Sequence, residues 1–114
     1  MNCSPDMAAS LFNKWREEIT FVLIVLAGVG FKVHTFGLVE ASSPDELLLS
    51  LANGGRLIYH LKGASYDYAE PREAPPDIRE ETEAMVNCAL QVKFPDMTLA
   101  LSEMREQPVI DKTA

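Results

Sequence analysis

Between Glu46 and Lys62 apolar residues occupy every second position. Leu47, Leu49 and Leu51 alternate with Glu46, Leu48, Ser50 and Ala52. Beyond Asn53-Gly54-Gly55, Leu57, Tyr59 and Leu61 alternate with Arg56, Ile58, His60 and Lys62. Period-two alternation on both sides of a glycine-rich turn predicts a β-hairpin. A three-residue loop, Asn53-Gly54-Gly55, pairs Leu51 with Leu57, Leu49 with Tyr59, Leu47 with Leu61 and Glu46 with Lys62. Gly55 then supplies the positive φ that such loops need. A rival pattern overlaps it. Ser43-Pro44-Asp45-Glu46 reads as a capping box, and Asn53-Gly54 as a helix end, so residues 44–53 also fit a capped helix. The agreement of several cross-strand pairs on one register favours the hairpin, with Ser42 to Asp45 as a turn.

At the N-terminus Ser4-Pro5-Asp6 marks a helix start. Met7, Leu11, Trp15, Ile19, Val22 and Leu26 recur at spacings of three and four, one helical stripe. After Ile19 the polar side vanishes. The stripe and Gly28 favour a single long helix to Ala27; the β-branched content of Thr20 to Leu26 favours a buried strand. The continuous helix is the expectation here. Its all-round apolar half exceeds what one sheet layer covers, which points to a homodimer.

Gly30 to Ala41 reads as a strand with a bulge at Gly37, and Gly63 as a bulge or sharp bend. Beyond Gly63, Ala64, Tyr66 and Tyr68 continue the apolar set. Pro71 to Asp77 is a proline-rich loop. Asp77-Ile78-Arg79-Glu80 is a capping box opening a short helix. Cys88 to Met104 forms a second hairpin around Pro95-Asp96, with a loop of two or four residues. Residues 1–104 thus read as one α+β domain: a long N-terminal helix on a curved antiparallel sheet of about five strands, with a partly closed barrel as the alternative. Residues 105–114 read as a mobile tail.

The chain has 114 residues, 47% of them hydrophobic, and a net charge of −7. That acidity argues against binding nucleic acid or an anionic membrane, since both need clustered Lys and Arg. The run from Phe21 to Phe31 is too short to span a bilayer. Cys3 and Cys88 have no motif spacing and read as reduced thiols of a cytoplasmic protein.

Candidate chemistry is sparse. His34 and His60 lack metal-ligand spacing. Together with Glu40 or Asp67 they form the one constellation able to do acid–base work, provided their strands are neighbours. There is no G-x-S-x-G elbow, and Gly28, Gly30 and Gly37 do not make a phosphate loop. Tyr59, His60, Tyr66, Asp67 and Tyr68 are the candidate ligand-binding residues, because tyrosine joins an apolar body to a polar tip. The same tyrosines also suit the margin of a core. Six carboxylates between Glu70 and Glu83, against Arg72 and Arg79, suit a basic protein partner or a solvated face. Two functions from different classes follow. One is a non-enzymatic protein working by protein–protein contact, most simply as a homodimer. The other is a small-molecule binder or enzyme with its site around Tyr59, His60 and Tyr66. No cofactor is implied.

Overall fold

The computed structural model describes residues 2–43 and 45–107. Its elements, in chain order, are β1 (Asn2–Cys3), α1 (Pro5–Glu17), β2 (Phe21–Gly28), β3 (Phe31–Ser42), β4 (Glu46–Leu51), β5 (Arg56–His60), β6 (Ser65–Ala69), a 3-10 turn (Pro71–Glu73), α2 (Arg79–Met85), β7 (Val86–Lys93) and β8 (Met97–Met104). The class is α+β. One antiparallel sheet holds eight strands among the described residues, in the order β1-β6-β7-β8-β2-β3-β4-β5. It is not closed, because β1 and β5 are its two edges.

α1 begins as its sequence requires. Ser4 accepts the Met7 N–H at its hydroxyl, and Pro5 opens the first turn. The face it buries is Ala8, Phe12 and Trp15, all essentially inaccessible, while Met7 and Ile19 of the expected stripe are exposed. The helix stops ten residues short of Ala27. The Thr20 N–H reaches the Trp15 carbonyl and the Ile19 N–H reaches that of Arg16, which is a Schellman ending. Ile19 therefore sits at φ 51°, where glycine is usual. The chain then reverses into β2, a central strand between β3 and β8. The long-helix expectation fails here, because β-branched Val22, Ile24 and Val25 find strand partners on both sides. Val22 and Ile24 point into the core, and Phe21, Leu23 and Val25 point away from it. A two-faced apolar strand mimics a helix that is apolar all round. It supplies one of the three strands beyond the expected five.

The first hairpin forms, with a different register. Leu49 pairs with Leu57, Leu47 with Tyr59 and Glu46 with His60. The loop is three residues long but lies one residue earlier, at Ala52-Asn53-Gly54. Gly54, at φ 93°, takes the left-handed position instead of Gly55. The Leu51 N–H bonds the Gly55 carbonyl, and the Gly54 N–H bonds Leu51. A shift of two residues keeps every side chain on its face, so the apolar pattern does not register it. Ser43 uses its hydroxyl to accept the Glu46 N–H. That contact, read as a helix cap in the rival pattern, closes the turn into β4.

The irregularity in β3 falls between Val39 and Ala41, not at Gly37. Gly37 allows β4 to approach instead, since a Cβ there would run into the Ser50 carbonyl. Gly63 is not a bulge in a continuous strand. With φ 80° it completes a turn in which the Ala64 N–H meets the Leu61 carbonyl. The chain thereby crosses from edge strand β5 to β6 at the far side of the sheet. The proline-rich segment forms a 3-10 turn, closed by Glu70 and Glu73. α2 has Ile78 at its N-cap, without a side-chain cap from Asp77. The β7–β8 loop is the two residues Pro95-Asp96, with Phe94 bonded to Met97. Of the expected tail, Arg105 bonds the Met85 and Glu83 carbonyls and Gln107 bonds Phe21. Residues 108–114 lie outside the described residues.

The strained ending of α1 yields a prediction. Ile19 is 63% exposed, so replacing it loses little burial. A left-handed conformation costs a non-glycine residue roughly 1–2 kcal/mol, against about 0.5–1 kcal/mol for the extra unfolded-state freedom of glycine. Ile19→Gly raises stability by about 0.5–1 kcal/mol. The measurement is the urea midpoint, which moves upward at unchanged slope.

Candidate functional site

The candidate tyrosines do not converge on one pocket. Tyr59, on β5, is buried and stacks on Phe94 with ring centroids 5.8 Å apart. Tyr66, on β6, is buried edge-on to Phe12 at 6.5 Å. Both therefore fill core. Burial pushes both hydroxyls above the usual tyrosine value. His60 points the other way into solvent, where its Nδ1 lies 3.7 Å from Glu46. Asp67 is on the opposite face of β6 from Tyr66, 3.7 Å from the Lys93 amine. His34 and His60 are not brought together, because β4 stands between their strands. Among the described residues no group of three or more His, Cys, Asp or Glu gathers as a metal site.

Of these candidates Tyr68 lines an opening. Together with Cys3, Met7, Ser10, Leu11 and Lys14 it bounds a mostly apolar groove of about 310 Å³ between α1 and β6. Burial, followed by the nearby Cys88, pushes the Tyr68 hydroxyl up to about 12. Burial and then Glu103 push the Cys88 thiol up as well. Both groups stay protonated at neutral pH, so neither is an activated nucleophile.

The most specific polar arrangement was not anticipated from the sequence. Glu103 is the one charged side chain buried among the described residues, at 9% exposure. Its Oε1 accepts the Trp15 indole N–H at 2.8 Å and the Lys14 ammonium at 3.4 Å, and its Oε2 accepts from Asn87 at 2.8 Å. Burial pushes its carboxyl up. The bonds from Trp15 and Asn87 and the charge of Lys14 outweigh that and hold it below the usual carboxylate value. No buried side-chain polar atom among the described residues lacks a partner. A carboxylate held by donors from α1 and from β7 acts as a clamp between the helix and the sheet. The available signal was parity: Leu99, Leu101 and Glu103 share the inner face of β8.

One face of the sheet has no covering element among the described residues, and it is apolar. On the outer side of the sheet, away from α1, Phe21, Leu23, Val25, Phe36, Leu38 and Leu48 form a half-covered face that continues to Ile58. Phe36 is 39% exposed and Ile58 62%. Residues 21–62, which make this region, carry Glu40, Asp45 and Glu46 against Lys32, Arg56 and Lys62, so the −7 of the chain lies elsewhere. Part of it is the segment around α2. There Arg72 pairs with Glu70 at 2.8 Å, and the Arg79 guanidinium is spent on the Ala74 carbonyl.

No family model and no solved structure matches the chain. Chitin synthase 4 of Gibberella zeae is 32% identical over 79 residues, which cover 66% of this chain and 6% of that protein. The chain thus spans only a small fraction of the curated relative it matches. No helix among the described residues is long and apolar enough to cross a membrane.

The clamp is testable through pH. Because the folded-state carboxyl of Glu103 lies below its unfolded value of about 4.3, its contribution is fully present above that value. It is lost as pH falls through the lower, folded value. The melting temperature of wild type exceeds that of Glu103→Gln at pH near 7, and the gap narrows toward pH near 3. A gap that is constant across this range, followed by circular dichroism, removes the carboxylate from the account.

Proposed function

We propose that this protein works by protein–protein contact in a reducing, cytoplasmic setting, and that its first partner is a second copy of itself. The observation that carries the reading is the outer face of β2 to β5. It is apolar, uncovered by any described element and nearly neutral in an acidic chain. Two copies with net charge −7 repel over most of their surfaces. They approach at least cost where acidic and basic residues balance. The free, buried Cys3 and Cys88 are in keeping with a reducing compartment. For a basic protein partner the support is the uncompensated carboxylates along α2, where both arginines are engaged internally.

A second reading, a small-molecule binder, draws support from the groove beside Tyr68. An apolar wall with Lys14 at its margin suits an amphipathic anion. Of the residues first considered, Tyr59 and Tyr66 are committed to the core and His60 faces solvent at the other side of the sheet, so this reading rests on Tyr68.

Size-exclusion chromatography with light scattering tests the main reading. The expected mass is about twice the 12.6 kDa of the chain at micromolar concentration. A monomer throughout that range overturns self-association.

A further inference from the structure

We infer that β5 is a docking edge for a second copy of this chain, the two β5 strands pairing antiparallel with Ile58 opposite Ile58. The inference rests on the self-association reading above and narrows it: the contact lies at the Ile58 margin of the outer face, along the β5 edge, and not over its Phe36 side.

The hydrogen-bond phase of the β4–β5 hairpin shows which backbone groups are free. The Leu51 N–H bonds the Gly55 carbonyl at 2.8 Å, and the Leu61 N–H bonds the Asp45 carbonyl at 2.8 Å. Those pairs are hydrogen-bonded, so by antiparallel alternation Leu49 with Leu57 and Leu47 with Tyr59 are too. Arg56, Ile58 and His60 fall in the non-bonded pairs between them. Their N–H and C=O groups therefore point out of the sheet, at the open edge. Among the described residues no backbone bond outside the hairpin ladder reaches any of the three. This is a row of donors and acceptors spaced to receive a strand.

The side chains say which strand. Placing Ile58 opposite Ile58 makes the two-fold contact bond Arg56 to His60 of the second copy, and the reverse, with each pair exchanging both N–H···O=C bonds. On the outer face Leu48 and Ile58 of one copy meet Ile58 and Leu48 of the other, an unbroken apolar row. Beside it Arg56 meets His60 of the second copy, whose neighbour is Glu46, so the positive end of one β5 faces the acidic partner of the other. On the inner face Leu57 meets the second copy's Tyr59, again apolar on apolar. A shift of one residue sets inner side chains against outer ones, and a shift of two sets Ile58 against Arg56 or His60. One register satisfies both faces. The 62% exposure of Ile58, an isoleucine on an edge, is then accounted for.

The experiment uses the full chain in light scattering over a dilution series. Ile58→Pro removes only an outward N–H, and proline is tolerated on edge strands, while Ile58→Lys places like charges opposite each other. Both are expected to weaken the dimer on the order of 100-fold or more without changing the circular dichroism spectrum. Phe36→Lys, on the outer face away from β5, is expected to leave it intact. Should either Ile58 variant fail to fold, Ile58→Cys gives the answer independently. The two introduced thiols face each other and form an intermolecular disulfide under mild oxidation, while the native thiols are buried. No crosslink, or a dimer that survives both Ile58 changes and is lost with Phe36→Lys, overturns the edge assignment and leaves self-association standing. A monomeric wild type overturns both.

Discussion

The link between β5 and β6 is too short for a flat sheet. The two strands stand eighth and second in the order, six spacings apart, which is about 29 Å if the sheet is flat. From His60 to Ser65 the chain spans at most about 17 Å. The sheet therefore curls until its ends approach, and the Tyr59–Phe94 stack joins them across the gap. Curling creates an inner surface that must be filled. α1 fills it with Ala8, Phe12 and Trp15, and the indole N–H of Trp15, carried into that interior, needs an acceptor. Glu103 is the acceptor, and Lys14 and Asn87 make its charge tolerable there. Geometry, helix and buried charge are one set of consequences.

That chain of consequences also explains what was legible beforehand. Local signals read correctly: the Ser4–Pro5 helix start, the hairpin in preference to a helix over 44–53, a short helix after the proline-rich segment, and the Pro95-Asp96 turn. Non-local ones did not. The hairpin register differs by two residues because Gly54 and Gly55 compete for the same left-handed site, and a two-residue slip is silent in the apolar pattern. Residues 19–27 misled for a different reason. Stripe spacing presumes that a helix presents one face, whereas β2 is a central strand with apolar residues on both. Nothing local marks a strand as central; its two neighbours, β3 (Phe31–Ser42) and β8 (Met97–Met104), lie far apart in sequence.

Site residues divided along the same line. The tyrosines were singled out as polar-tipped aromatics, and Tyr66 and Tyr59 turned out to be ring contacts in the core. Which tyrosine reaches an opening depends on where α1 crosses the sheet, and only Tyr68 lies at that margin. Glu103 was missed because a lone glutamate at the end of a strand ordinarily faces water. Its inner-face parity was visible, but two of its donors, Lys14 and Trp15, come from α1 at the other end of the sequence.

The two edges of the sheet differ. At one end β1 contributes the described residues Asn2 and Cys3, paired with Asp67 and Tyr66 of β6. At the other, β5 offers five residues with no proline and no lysine, and its outward groups belong to an arginine, an isoleucine and a histidine. On the reading proposed above, this open edge is the one the chain uses. Arg56 lies 3.3 Å from Glu40 and His60 3.7 Å from Glu46 of their own sheet, and the ladder to β4 holds the strand extended before any partner arrives. Preorganisation of that kind lowers the ordering cost of association. It also narrows the choice of partner to a strand whose own charges and apolar positions mirror those of β5, which β5 itself satisfies.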